Sequence, residues 1–175
     1  MLNQLLDRVP QLIDDLESKG VQYTNVMPAR ADLDSGQGRS WQNTLGSKSK
    51  ASAERRLREL DYTWEWLQGE NLKVTTPVLT ATRLLADGRK VFFNQLIAAY
   101  RGWKDSRNKD SKKIQFGDGS DISEESMEVV CEIAENITYD HFWQKGDLLL
   151  VDNFLVMHGR RPFVGTRKVL ASLSI

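Results

Sequence analysis

The 175-residue chain has 24 basic and 24 acidic side chains, so its formal charge is zero and no global field directs it to nucleic acid or to an anionic membrane. With 40% hydrophobic and 9% aromatic residues it can bury a core, which excludes a disordered tail, and its length predicts a single domain over 1–175. One cysteine, Cys131, excludes an internal disulfide and a cysteine-rich zinc site, and two histidines, His141 and His158, leave little material for a metal centre.

No apolar run approaches the ~20 residues of a membrane span. The opening MLNQLLDRVPQLIDDLESKG sets acids among its leucines, unlike a signal peptide, so a soluble, cytoplasmic protein is expected. In that stretch Leu2, Leu5, Leu6, Val9, Leu12, Ile13 and Leu16 recur at helical spacing. Pro10 predicts the start of a second short helix, because a first turn tolerates its missing N–H, and Gly20 predicts the stop. VQYTNVM (21–27) reads as a strand, and the polar, glycine-bearing stretch from Ala29 to Ser40 as a loop. A helix is expected over Ser52–Leu60 with Ser52 as N-cap. YTWEWL (62–67), LKVTTPVLT (72–80) and RKVFFNQ (89–95) read as strands. The alternation of Tyr62, Trp64 and Trp66 with polar residues predicts one buried face. The last two flank LLADGR, whose Asp87-Gly88 pair predicts a hairpin between them.

RGWKDSRNKDSKK (101–113) holds six Lys/Arg against two Asp, with Trp103 as its only stacking residue, and reads as a solvated loop rather than a phosphate patch. A helix follows from Ser123 to about Ile137, capped by Ser123 and led by Glu124 and Glu125. Its apolar stripe is Met127, Val130, Ile133, Ala134 and Ile137, with Cys131 close by as a packing residue. Beyond a turn at Lys145-Gly146-Asp147, Leu148–Val151 and Phe154–Met157 read as buried strands broken by Asp152-Asn153, which are expected to shape the turn between them. After GRRPFVGT, RKVLASLSI reads as a closing strand. The expected class is mixed, β-dominated and antiparallel.

The chemistry-bearing residues lie near the end. His158 stands where an apolar strand meets a loop, with Arg160 and Arg161 next and Arg167 on the following strand. If those strands pair, the imidazole and a guanidinium fork share one cavity, a pairing suited to a metal-bound organic acid. The alternative is that the three arginines are rim charges. His141, followed by Phe142 and Trp143, reads as a surface or packing residue.

The run WQKGDLLLVDNFLVMHGRRPFVGTRKVL resembles the C-terminal signature of the TauD/TfdA family of Fe(II)- and 2-oxoglutarate-dependent dioxygenases, especially its SyrP-like branch. TATRLLADGRKVFFNQ is similar to the family's His-Pro-x-Thr-Gly-x-x-x-Phe-Asn-Gln hairpin, with Leu84-Leu85 in place of His-Pro. SWQNTLG (40–46), YTWEWL and FGDGSDIS (116–123) fall in the same order. The resemblance implies a double-stranded β-helix, a clavaminate synthase-like jelly roll with peripheral helices. It implies His158 as the distal iron ligand, Arg167 as the anchor of 2-oxoglutarate, and Asn94 and Gln95 near the substrate. Lys168 is the alternative anchor; Arg167 is preferred because a planar fork alone makes the bidentate contact.

The family's iron site needs two histidines and a carboxylate, the first pair as His-x-Asp or His-x-Glu, alternate residues whose side chains point to one side of a strand. Neither histidine here opens such a pair: His141 leads to Trp143 and His158 to Arg160. In the family that motif lies N-terminal to helices resembling residues 2–19. The expectation is therefore a C-terminal portion of an oxygenase domain, N-terminally truncated and inactive alone, whose open sheet edges invite association with a missing N-terminal half or with itself. Its substrate would be a small molecule, such as a free or carrier-bound amino acid. The alternative is a non-catalytic truncated or split module that binds a partner or a small molecule. A cupin-like binder on the same β-helix fits the histidine-to-arginine run less well.

Overall fold

A computed structural model describes residues 1–32, 38–102, 107, 113–161, 164–165 and 170–172. Two short helices open the chain, α1 (Leu2–Arg8) and α2 (Pro10–Lys19). Val9 between them has φ −140° and ψ 55°, outside the helical region, and Pro10 begins α2 as its missing N–H predicts. Gly20 ends α2 at φ 70°, ψ −167°, its N–H still donating to Leu16 O at 3.0 Å. That backbone state, open in practice to glycine alone, turns the chain directly into β1 (Val21–Met27).

β1 is an inner strand of a four-stranded antiparallel sheet. Its neighbours are β3 (Leu72–Thr75) on one side and β6 (Ile114–Phe116) on the other, and β2 (Thr63–Trp66) lies beyond β3. The β1–β3 register sets Thr24 opposite Thr75, where their hydroxyls meet at 2.8 Å, and Met27 opposite Leu72. A separate hairpin, β4 (Thr82–Leu84) and β5 (Lys90–Phe92), turns at Asp87-Gly88. Its loop closes through Leu85 N–H donating to Arg89 O at 2.8 Å, with Gly88 at φ 82°. The hairpin partner differs from the expected one. LKVTT is taken by the sheet, and TRL, immediately before the turn, pairs with KVF instead, because an adjacent segment closes the shorter loop.

The core has two parts. The first joins Leu5, Ile13 and Leu16 of α1 and α2 to Val21 and Tyr23, Phe92, Leu96, Phe116 and the stripe of α5 (Glu124–Asn136). Ser123 caps α5 as expected, its hydroxyl accepting from Ser126 N–H at 3.1 Å. Of the predicted stripe, Met127, Val130 and Ile133 are buried, Ala134 is half-buried and Ile137 is exposed. The second core part gathers Met27, Trp41, Ala53, Leu57, Leu72 and Val74 beneath Trp64 and Trp66. It includes a helix not anticipated, α3 (Trp41–Leu45), capped by Ser40. The next, α4 (Lys50–Glu59), starts earlier than expected. Ser49 is its cap, and Ser52 is the third helical residue, whose hydroxyl accepts the Ser49 N–H in a reciprocal capping box.

Two further expectations are corrected. Among the described residues the helices outweigh the strands, so the chain is mixed α/β with antiparallel sheets and not β-dominated. Residues 148–151 and 154–157 form no strand. Leu148 and Leu150 are 96% and 94% exposed. A strand needs a neighbour to accept its ladder of hydrogen bonds, and 148–151 make no main-chain hydrogen bond to the described residues. RKVLASLSI is described only at 170–172, which are not in a strand.

Candidate functional site

The β4–β5 hairpin is amphipathic. Phe92, opposite Thr82, is buried in the first core, whereas Arg83, opposite Val91, looks away from it with Phe93 two residues further along the same face. The expected substrate residues follow at once. The Asn94 amide is engaged by main chain at both ends: Nδ2 donates to Ala81 O at 2.9 Å and Oδ1 accepts from Leu96 N–H at 3.0 Å. Asn94 thereby shapes the exit from the hairpin. Gln95 has an exposed side chain, and its N–H donates to the phenol of Tyr23 at 3.0 Å. Burial pushes the Tyr23 phenol up to about 12.

Phe154, four residues before His158, lies against the outer face of this hairpin. Asp152 makes a tight turn: its carboxylate accepts from Phe154 N–H at 2.9 Å, and its carbonyl accepts from Leu155 and Val156 N–H at 3.1 and 3.0 Å. Asp152 therefore shapes the turn, as its place in the sequence predicts. The turn sets the Phe154 ring 5.6 Å from Phe93 and 4.2 Å from the Arg83 guanidinium. Further along, Arg161 grips Glu135 and Asp140, with its shortest contact, to Glu135, at 2.6 Å. These carboxylates raise the Arg161 pKa above its ordinary value. Arg161 thus ties the segment to the end of α5 and acts as a structural anchor.

His158 is exposed, and its ring makes no hydrogen bond to a described residue. His141 pairs with Asp147 at 3.0 Å and stands edge-on to Trp143, in keeping with a surface packing role. The Asp147 carboxyl is lowered, first by the Gln144 N–H and then by His141. Arg167 and Lys168 lie outside the described residues. Nowhere among the described residues do three His, Cys, Asp or Glu side chains converge. The described residues alone therefore do not fit Fe(II), which needs a facial set of two histidines and a carboxylate.

A cleft of about 460 Å³ lies along α5, lined by Tyr100, Arg101, Cys131 and Glu135 among others. Burial raises the Cys131 thiol, which leaves it protonated and in a packing role.

Residues 1–173 match the taurine catabolism dioxygenase TauD, TfdA family. The chain belongs to the TauD/TfdA dioxygenase family. Over 171 residues it is 36% identical to a clavaminate synthase-like protein of Arabidopsis thaliana, an alignment covering 97% of this chain and 52% of that protein. Over 175 residues it is 27% identical to the dapdiamide synthesis protein DdaC of Enterobacter agglomerans, covering 93% of this chain and 51% of that one. The chain spans about half the length of these curated relatives. The family is one of Fe(II)/2-oxoglutarate enzymes, and its clavaminate synthase-like members are the kin of this chain. Sequence reading missed the contact of Arg83 and Phe93 with Phe154. An exposed arginine and two phenylalanines carry no signal of contact until the hairpin register is known. No helix among the described residues is long and apolar enough to cross a membrane.

Proposed function

We propose that these residues are the co-substrate-holding part of a cytoplasmic Fe(II)/2-oxoglutarate oxygenase domain of the SyrP-like branch, built on a double-stranded β-helix. His158 supplies one iron ligand and Arg167 grips the distal carboxylate of 2-oxoglutarate. The remaining His-x-Asp/Glu ligands come from outside these 175 residues, on the same polypeptide or a separate one. That segment pairs beside 148–157, where the exposed leucines await a neighbour. Asn94 and Gln95 border the substrate, a small molecule such as a free or carrier-bound amino acid. The observation that carries the reading is the single run from His158 to Arg167, which resembles the family's C-terminal signature within a chain that belongs to the family.

Two measurements test it. Supplied with Fe(II), ascorbate and 2-oxoglutarate, the 175-residue chain alone is expected to release no succinate above a protein-free control. Turnover would refute the placement of the other ligands elsewhere. In calorimetric titration with 2-oxoglutarate, Arg167→Ala should weaken binding by at least about 30-fold, the range for truncating one side of a bidentate charged contact. Lys168→Ala should leave it near the parent value. The reverse pattern would move the anchor to Lys168, and no binding by the parent chain would remove the co-substrate site.

A further inference from the structure

His158 is exposed and the run before it forms no strand, so its segment needs another element to hold it in place. We infer that Arg83 is a positioning residue. Its guanidinium, with Phe93, clamps Phe154 and thereby fixes the His158 segment to the β4–β5 hairpin. The inference rests on the reading that His158 serves the site.

The geometry follows from register. Arg83 and Phe93 occupy diagonal positions on the outer face of the hairpin, opposite the side that Phe92 buries. The guanidinium is 5.8 Å from the centre of the Phe93 ring and 4.2 Å from that of Phe154, so one cation faces both aromatic rings. The rings themselves are 5.6 Å apart and tilted by 46°, within the range of favourable aromatic pairs. Phe154 reaches this position because Asp152 folds the main chain into its turn. His158 follows Phe154 by four residues. Arg83 does not belong to the expected set of ligand and anchor.

The test uses the full 175-residue chain without metal or 2-oxoglutarate, read by NMR amide exchange at Phe154, Leu155 and Val156 and by the imidazole resonance of His158. Arg83→Gln should accelerate exchange at these three amides about tenfold and shift or broaden the His158 signal, while amides of α2 and β1 stay unchanged. Arg83→Lys should restore most of the protection, because an ammonium over the ring keeps the attraction. Phe154→Leu should reproduce the effect of Arg83→Gln, and combining the two should add little. Unchanged exchange in Arg83→Gln would overturn the inference, as would equal behaviour of the Lys and Gln variants. The outcome is separable from that of the oxygenase reading: loss of the clamp leaves the dependence of 2-oxoglutarate binding on Arg167 to be decided by titration, and the reverse.

Discussion

Gly20→Ala is expected to destabilise the fold by about 3 kcal/mol or more, which for a chain of this length lowers the melting temperature by on the order of 10 °C. Two effects combine. At φ 70° and ψ −167° the residue occupies a backbone region that a β-carbon excludes. A Cβ there would also stand 2.5 Å from Val78 Cγ1 and 2.9 Å from the Leu79 carbonyl oxygen. That carbonyl has little room to move, because it accepts the Val21 N–H at 2.9 Å in the bridge that joins β1 to the chain beyond β3. Gly46→Ala is the milder comparison, lacking the clash and sitting in a left-handed state that a β-carbon tolerates at lower cost. Gly46 has a left-handed φ of 61° with no neighbouring atom within 4 Å of an added Cβ, so it should lose only about 1 kcal/mol. Urea or thermal unfolding of both variants measures the difference, and equal losses would contradict the expected ranking.

A second large effect is expected at alkaline pH. Burial lifts the Tyr23 phenol to about 12, well above its usual value of 10.0, and the Gln95 N–H opposes that shift only in part. The folded state therefore favours the neutral phenol. The stability it contributes is intact below pH 10 and is lost as pH rises from 10 through 12, a loss of roughly 2–3 kcal/mol for a shift of this size. Tyr23→Phe gives up an acceptor for the Gln95 N–H and should be about 1 kcal/mol less stable at pH 7. Above pH 11 it should lose its disadvantage and overtake the parent. Unfolding free energies across this range measure the crossing; parallel pH profiles for the two proteins would refute the account.

The parts of the fold legible in the sequence are those set within a few residues. Helical spacing and Pro10 marked α1 and α2, Gly20 marked the stop, and Ser123 marked the start of α5. The Asp87-Gly88 turn was legible too, because Asp87 accepts the Arg89 N–H at 3.1 Å within the turn itself. What a turn cannot encode is which flanking segment pairs across it, and LKVTT went to β1 and β2. The same limit applies to Leu148–Val151: an apolar run states a preference for burial, and a strand forms only where another segment offers its main chain. Trp41 illustrates the converse. Its five-residue helix is too short for periodicity to reveal, and it is held by burial and by the indole N–H donating to Glu70 O at 3.2 Å. Near His158, the Arg83 and Phe93 contacts with Phe154 depend on hairpin register and were not legible.

The proposed site requires His158 and Arg167 to face one ligand. With only two histidines in the chain, the two imidazole Cε1–H signals report on this during an NMR titration with 2-oxoglutarate. The expected result is that the His158 signal moves, the His141 signal stays with its Asp147 partner, and Arg167→Ala abolishes the movement. If His158 stays fixed while the ligand binds, or both histidines move alike, the proposed site is contradicted.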